Sequence, residues 1–208
     1  MPAQPLARRK LWQLAAGAAA LVAADSAWGQ ATHLVRYRAT IDTVATDNIS
    51  LTTRTGQQLT LTFASDTVIL AVVPIRLEDI KPGAYIGAAA MPQPDGTQRA
   101  LEVHLYPETM RGTAEGHGPF DLKPRSTMTN GTVGAVTGNP GRTFTVTYQD
   151  GAKTIVVPPD TPVVTFEPGS PALLVPGAHV IVTGIEASDG SLSATRILVG
   201  KNGLVPPM

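Results

Sequence analysis

No cysteine occurs anywhere in the chain. That absence excludes disulfides, thiolate metal sites and thiol nucleophiles together, so in an oxidising compartment the fold would depend on its packed core alone. Aromatic residues are scarce, at 5% of 208 residues, too few for a platform that stacks single-stranded bases or sugars. After the first thirty residues no apolar run approaches the roughly 20 residues of a membrane-spanning helix. Neither sign of charge is in excess: Lys plus Arg and Asp plus Glu each number 16, so the basic footprint of a nucleic-acid binder is missing. Catalytic motifs are missing too. There is no glycine-flanked serine elbow, and "GTAEGHG" lacks the lysine and following helix of a phosphate-binding loop. These absences point away from an enzyme.

What is present begins with an export pattern. Arg8, Arg9 and Lys10 precede an apolar, alanine-rich run from Leu11 to Ala24, and Ala27-Trp28-Gly29 places small residues before Gln30. Residues 1–29 therefore read as a signal peptide cleaved before Gln30, with the remainder expected in a bacterial periplasm and not inserted in a membrane. Removing 1–29 takes away three bases and one acid (Asp25), leaving 13 bases against 15 acids. A weakly acidic surface is a poor partner for nucleic acid or an anionic membrane.

The remaining chain repeats itself. Asp66-Thr67 matches Asp160-Thr161, Pro82-Gly83-Ala84 matches Pro176-Gly177-Ala178, and Asp95-Gly96 matches Asp189-Gly190, without a gap through Ala100 and Ala194. Upstream, "TIDTV" matches "TVGAV". The spacing implies duplicated units over 34–106 and 129–200. Each unit reads as β: Leu59, Leu61 and Phe63 alternate with polar residues, as do Phe144, Val146 and Tyr148. The Asp-Gly pairs mark hairpin turns, and "LEDI" and "ALLV" suit one helical turn each. Three strands, a short cap and a hairpin per unit predict an all-β protein of two tandem OB-like five-stranded antiparallel barrels after the signal peptide. The expected domains are 30–106, a Gly/Pro-rich connector over 107–128, and 129–208 with a C-terminal tail. The alternative is one larger sandwich around a single core.

"LEDIKPGAYIGAAAMPQPDGTQRALEV" and its echo, together with "MRGTAEGHGPFD", "STMTNGTV", "IVVPPDTPVVTF" and "GKNGLVPPM", resemble the exported bacterial domain-of-unknown-function 5666 family and a proteobacterial subgroup of it. The resemblance covers most of the chain after residue 30 and implies tandem β modules and export. It implies no activity, because the family has none to carry over.

Chemistry concentrates around the connector. Glu102 and His104 are two apart on the last strand of the first unit, so they share a face opposite Leu101, Val103 and Leu105, turned to solvent or to the seam with the second unit. Glu108, Met110, Glu115, His117 and Asp121 follow among Gly112, Gly116 and Gly118. His104, Glu108, Glu115 and His117 are the candidate ligands for a divalent ion such as copper, zinc or nickel. The plainer reading is a solvated connector. His179, which occupies the place of Tyr85 in the other unit, is expected to pack at a strand edge, and Tyr37, Phe63, Phe144 and Tyr148 in the cores. The function expected is a non-catalytic binding or envelope-interaction module, whose partner is an unknown small ligand, a metal ion or an envelope protein. The alternative is a periplasmic divalent-metal-binding protein.

Overall fold

Alternation of apolar and polar side chains sets the local structure. In Asn48–Thr53 every second residue is buried, with Ile49 and Leu51 fully enclosed, and Phe144 and Val146 repeat this between threonines. The computed structural model describes residues 33–138 and 142–208; the expected signal segment, 1–29, lies outside them. Among the described residues the protein is all-β, with 3₁₀ turns and no α-helix, and no helix is long and apolar enough to cross a membrane. The strands are β1 (His33–Val44), β2 (Asn48–Thr53), β3 (Gln58–Thr62), β4 (Val68–Pro74), β5 (Tyr85–Pro92), β6 (Gln98–Leu105), β7 (Gly116–Pro119), β8 (Thr127–Thr137), β9 (Thr143–Tyr148), β10 (Gly151–Val156), β11 (Val163–Pro168), β12 (His179–Glu186) and β13 (Leu192–Gly200). The expected helical turns form as 3₁₀ turns at Leu77–Asp79 and Pro171–Leu173. At the two hairpins Gly96 and Gly190 take positive φ, 84° and 81°, and Asp95 and Asp189 accept the backbone N–H two residues on.

The strands pair as one sheet in the order β10-β9-β8-β5-β6-β11-β4-β13-β12-β1-β2-β3, with β7 beside β8. Two further pairings turn each end of that path back on itself: β13 meets β3 at Ser193 and Thr62, and β10 meets β6 at Ile155 and Gln98. The result is two five-strand circuits, β1-β2-β3-β13-β12 and β8-β9-β10-β6-β5.

This corrects the expectation of two self-contained units. The three-strand meander of the first half is completed by the hairpin of the second half, and the meander of the second half by the hairpin of the first. The boundaries 30–106 and 129–208 therefore do not coincide with the circuits. The exchange happens at β4 and β11, which pair antiparallel to each other, Val164 opposite Pro74 and Pro168 opposite Leu70. Each runs parallel to a neighbouring hairpin strand, β4 beside β13 and β11 beside β6. A seven-residue strand spans roughly 23 Å, enough to carry the chain out of one circuit and into the other.

The two circuits share one register. Tyr85 lies opposite Thr132 where His179 lies opposite Thr40, and Ile86 opposite Leu105 where Val180 lies opposite Val199. Bulges fall at matching places, between Ala89 and Ala90 and between Thr183 and Gly184. Each circuit encloses its own apolar core. Ile41, Ile49, Leu51, Leu61, Val182 and Ile197 fill the first, with Tyr37 and Phe63 packed against it, while Ile86, Val103, Val133, Phe144, Val146 and Ile155 fill the second. A third, smaller cluster of Val72, Val164, Phe166, Ile181 and Met208 lies along the crossing strands. This three-cluster core also differs from the single-core sandwich.

Candidate functional site

The site begins with the parity of β6. Ala100 and Val103 face the core of the second circuit, and the bulge opposite Ala89 and Ala90 keeps Glu102 and His104 on the other face. That face is the seam, and it is closed to bulk water: Glu102 is 0% and His104 3% exposed. A buried carboxyl group must be hydrogen-bonded. Glu102 accepts the N–H of Ala89 at 3.2 Å and meets His104 Nδ1 at 3.1 Å. With Nδ1 donating to the carboxylate, Nε2 is left as the acceptor of the ring.

That nitrogen has room only because of a glycine. A Cβ on Gly87 would sit 2.1 Å from His104 Nε2 and 2.4 Å from Asn130 Oδ1. Asn130 is buried and hydrogen-bonded through both of its polar atoms: Oδ1 accepts the Tyr106 hydroxyl at 3.3 Å and Nδ2 donates to the Ala114 carbonyl at 2.9 Å. The Tyr106 ring stands edge-on to His104, with centroids 4.7 Å apart. Burial, and then the charge of Glu102, push the Tyr106 phenol well above its ordinary range.

His104, Tyr106 and Asn130 border a cleft of about 540 Å³ between the two circuits. Its apolar lining includes Leu70, Phe166, Ile181, Leu198 and Met208, and its polar lining includes Arg36, Thr183, Arg196 and Asn130. The connector forms one wall. Over Gly116–Pro119 it is strand β7, with His117 opposite Thr129, which refines the reading of a solvated connector. His117 Nδ1 meets Thr129 Oγ1 at 2.8 Å and its ring stacks on Tyr148. Tyr148 is thus used here and not in a core. Burial and then Lys153 push the His117 imidazole below its usual value. Further along, Asp121 is gripped by Arg38 at 2.8 and 3.0 Å, and the Arg36 guanidinium lies 5.2 Å from the Phe120 ring centre. The hydrogen bonds from Arg38 hold the Asp121 carboxyl below the usual carboxylate range.

The four expected metal ligands do not form one set. His104, Glu115 and His117 border the same cleft, but His104 is bound to Glu102, and Glu115 accepts the Gln149 N–H at 3.0 Å. Glu108 is drawn off by Arg111, which also donates to the Gly83 carbonyl. Among the described residues no three His, Asp or Glu side chains come together to hold a metal ion. The physical reason is that each of these carboxylates already satisfies another donor, Glu108 the Arg111 side chain three residues on and Glu115 the Gln149 amide at the end of β9. His179, the first residue of β12, has its Nδ1 3.0 Å from Thr40 Oγ1 on β1.

Sequence reasoning passed over Arg36, Arg196, Tyr106, Asn130 and Phe166. One signal was available: in the expected repeat Arg196 and Leu198 align with Glu102 and His104, a change of chemistry at positions that the strand pairing matches.

A family model described as "Domain of unknown function (DUF5666)" matches residues 130–197. That stretch, similar to the family, runs from β8 to β13 and so contributes strands to both circuits. No curated protein and no solved structure matches the chain.

Proposed function

We propose that the protein is an exported, non-catalytic binding module whose ligand is a small molecule held in the cleft between the circuits. Each circuit is read as an OB-like barrel, and the two as products of a tandem duplication. The reading of barrels rests on the return pairings at Ser193 and Ile155, and the reading of duplication on the matched registers. One observation carries the functional reading. A cleft of about 540 Å³ is of ordinary ligand-site size, and apolar and aromatic side chains line it with a few converging polar groups. Catalysis finds less support. The Glu102–His104 pair orients an imidazole, yet among the described residues no serine or threonine hydroxyl is hydrogen-bonded to His104 to act as a nucleophile beside it.

The test is titration of the purified protein with the neutral dye Nile red, read by fluorescence. The expected result is saturable one-to-one binding that Leu198→Trp, which fills the cleft from β13, abolishes while circular dichroism stays unchanged. Dye binding that survives Leu198→Trp would remove the cleft from consideration. Export is supported by the basic start, apolar run and small residues of 1–29. N-terminal sequencing of the protein recovered from the envelope fraction should begin at Gln30.

A further inference from the structure

The two walls of the cleft differ at matched positions, and the difference specifies a ligand. On the first circuit Arg36 lies opposite Thr183 across one ladder and Thr183 opposite Arg196 across the next. Adjacent strands are spaced about 4.8 Å, so two guanidinium-bearing side chains flank one hydroxyl on the same face, all three bordering the cleft. Arg196 is exposed and has no ion-pair partner among the described residues. Arg36 has only a 3.4 Å approach to Asp121, whose closer partner is Arg38. The next row inward on this wall is Arg38, Ile181 and Leu198, of which the two apolar residues border the cleft.

On the second circuit the corresponding inward row is Asn130, Gly87 and His104. Among the described residues His104 Nε2 makes no hydrogen bond, and no buried side-chain nitrogen or oxygen there lacks a partner. The nitrogen therefore opens on the cleft, as an acceptor without a donor. An almost fully buried imidazole with one committed nitrogen and one free nitrogen asks for an O–H or N–H from a ligand.

We infer that the cleft takes a small amphipathic carboxylate carrying a hydroxyl group. Arg36, Thr183 and Arg196 receive the carboxylate, Phe166 and Leu198 pack the apolar body, and His104 Nε2 accepts the hydroxyl proton in a hydrogen bond. Glu115, Asp150 and Asp121 also stand at or beside the mouth. Their repulsion favours a singly charged carboxylate over a doubly charged phosphate.

This inference rests on the cleft being the binding site, and the experiment separates the two. Nile red is displaced from the full protein by ω-hydroxydecanoate, by decanoate, and by the methyl ester of ω-hydroxydecanoate. The hydroxy acid should bind about tenfold tighter than its ester, from the lost charge-assisted hydrogen bonds, and about fivefold tighter than decanoate, from the lost hydroxyl donor. Arg196→Gln should erase most of the acid-over-ester preference. If dye binds in the cleft but acid and ester displace it equally, the anion clamp is wrong and the cleft reading stands. If acid and ester differ but decanoate equals the hydroxy acid, the role of His104 is wrong. If the dye itself does not bind in the cleft, both readings fail.

Discussion

The two circuits of strands use one pairing plan and opposite chemistries. On the first, the outward row across β1, β12 and β13 reads Arg36, Thr183 and Arg196, with Arg38, Ile181 and Leu198 behind it. On the second, the matched rows across β8, β5 and β6 read Met128, Ala89 and Glu102, then Asn130, Gly87 and His104. Inward positions hardly differ, since Val103 and Ile197 both pack in their cores at 0% exposure. The lesson is a division of labour set by strand parity. Residues that fill a circuit are constrained by volume, whereas outward residues can change from a buried acid to an arginine without disturbing the ladder. One wall of the cleft could thus become a hydrogen-bonded polar cluster and the other a cationic rim over an apolar floor.

The largest expected effect comes from breaking the exchange between the halves. Residues 129–200 alone contain a meander and a hairpin that in the whole protein belong to different circuits. The isolated segment should fail to give a folded monomer, remaining unfolded or pairing two copies through β12 and β13. Sedimentation together with circular dichroism reads this directly. A folded monomeric segment would mean that each half can close on itself and that the exchange is a property of the linked chain only.

Next in size is the contrast between matched outward residues. His104→Ala leaves the fully buried Glu102 without its partner and should cost about 3–5 kcal/mol of stability. Leu198→Ala at the matched position should cost about 2 kcal/mol or less, because its side chain is only partly buried. Urea unfolding of both variants makes the comparison, and equal losses would show that the Glu102–His104 pair adds nothing beyond packing.

A smaller effect is expected at Gly87, where the first circuit tolerates Ile181. The methyl group of Gly87→Ala would drive into His104 and Asn130, costing about 1–3 kcal/mol from overpacking. It should also shift the His104 imidazole resonances in NMR spectra. Unchanged resonances would place that ring elsewhere.

The smallest effect concerns the fastening of the connector. Asp121→Asn removes a largely exposed carboxylate from Arg38 and Arg36, worth under about 1 kcal/mol. Because the folded carboxyl titrates below its ordinary value of 3.8, this contribution is complete above that value. It disappears as the pH falls through the folded value. Stability measured from pH 6 to pH 2 should therefore show the wild type converging on the variant only at the acid end, within about 1 kcal/mol throughout. A gap that persists at pH 2 would assign the effect to something other than this ion pair.

Much of the strand content was legible because alternation and turn chemistry are local. "TFTVTY" must put Phe144 and Val146 on one face, and the Asp-Gly pairs supply the positive φ that their turns require. The parity of β6 was legible too, which is why Glu102 and His104 could be placed together. Their burial was not, since it depends on what lies opposite. The proposed metal set failed for a related reason. Glu108 and Glu115 are near His104 and His117 in sequence, but Arg111 and the Gln149 amide are nearer in space. Arg36 and Arg196 are 160 positions apart, and only the β1–β12–β13 ladder makes them neighbours.

Sequence periodicity by itself determined that this protein is built of strands and where they turn. Tertiary structure decided which hairpin completes which meander. Local pattern is indifferent to that choice, because matched halves offer equivalent edges and the same ladder bonds whether a hairpin folds back on its own half or crosses to the other. The crossing strands β4 and β11 settle it by pairing with each other along their length, and in doing so they bring the two unlike outward faces together around a single cleft.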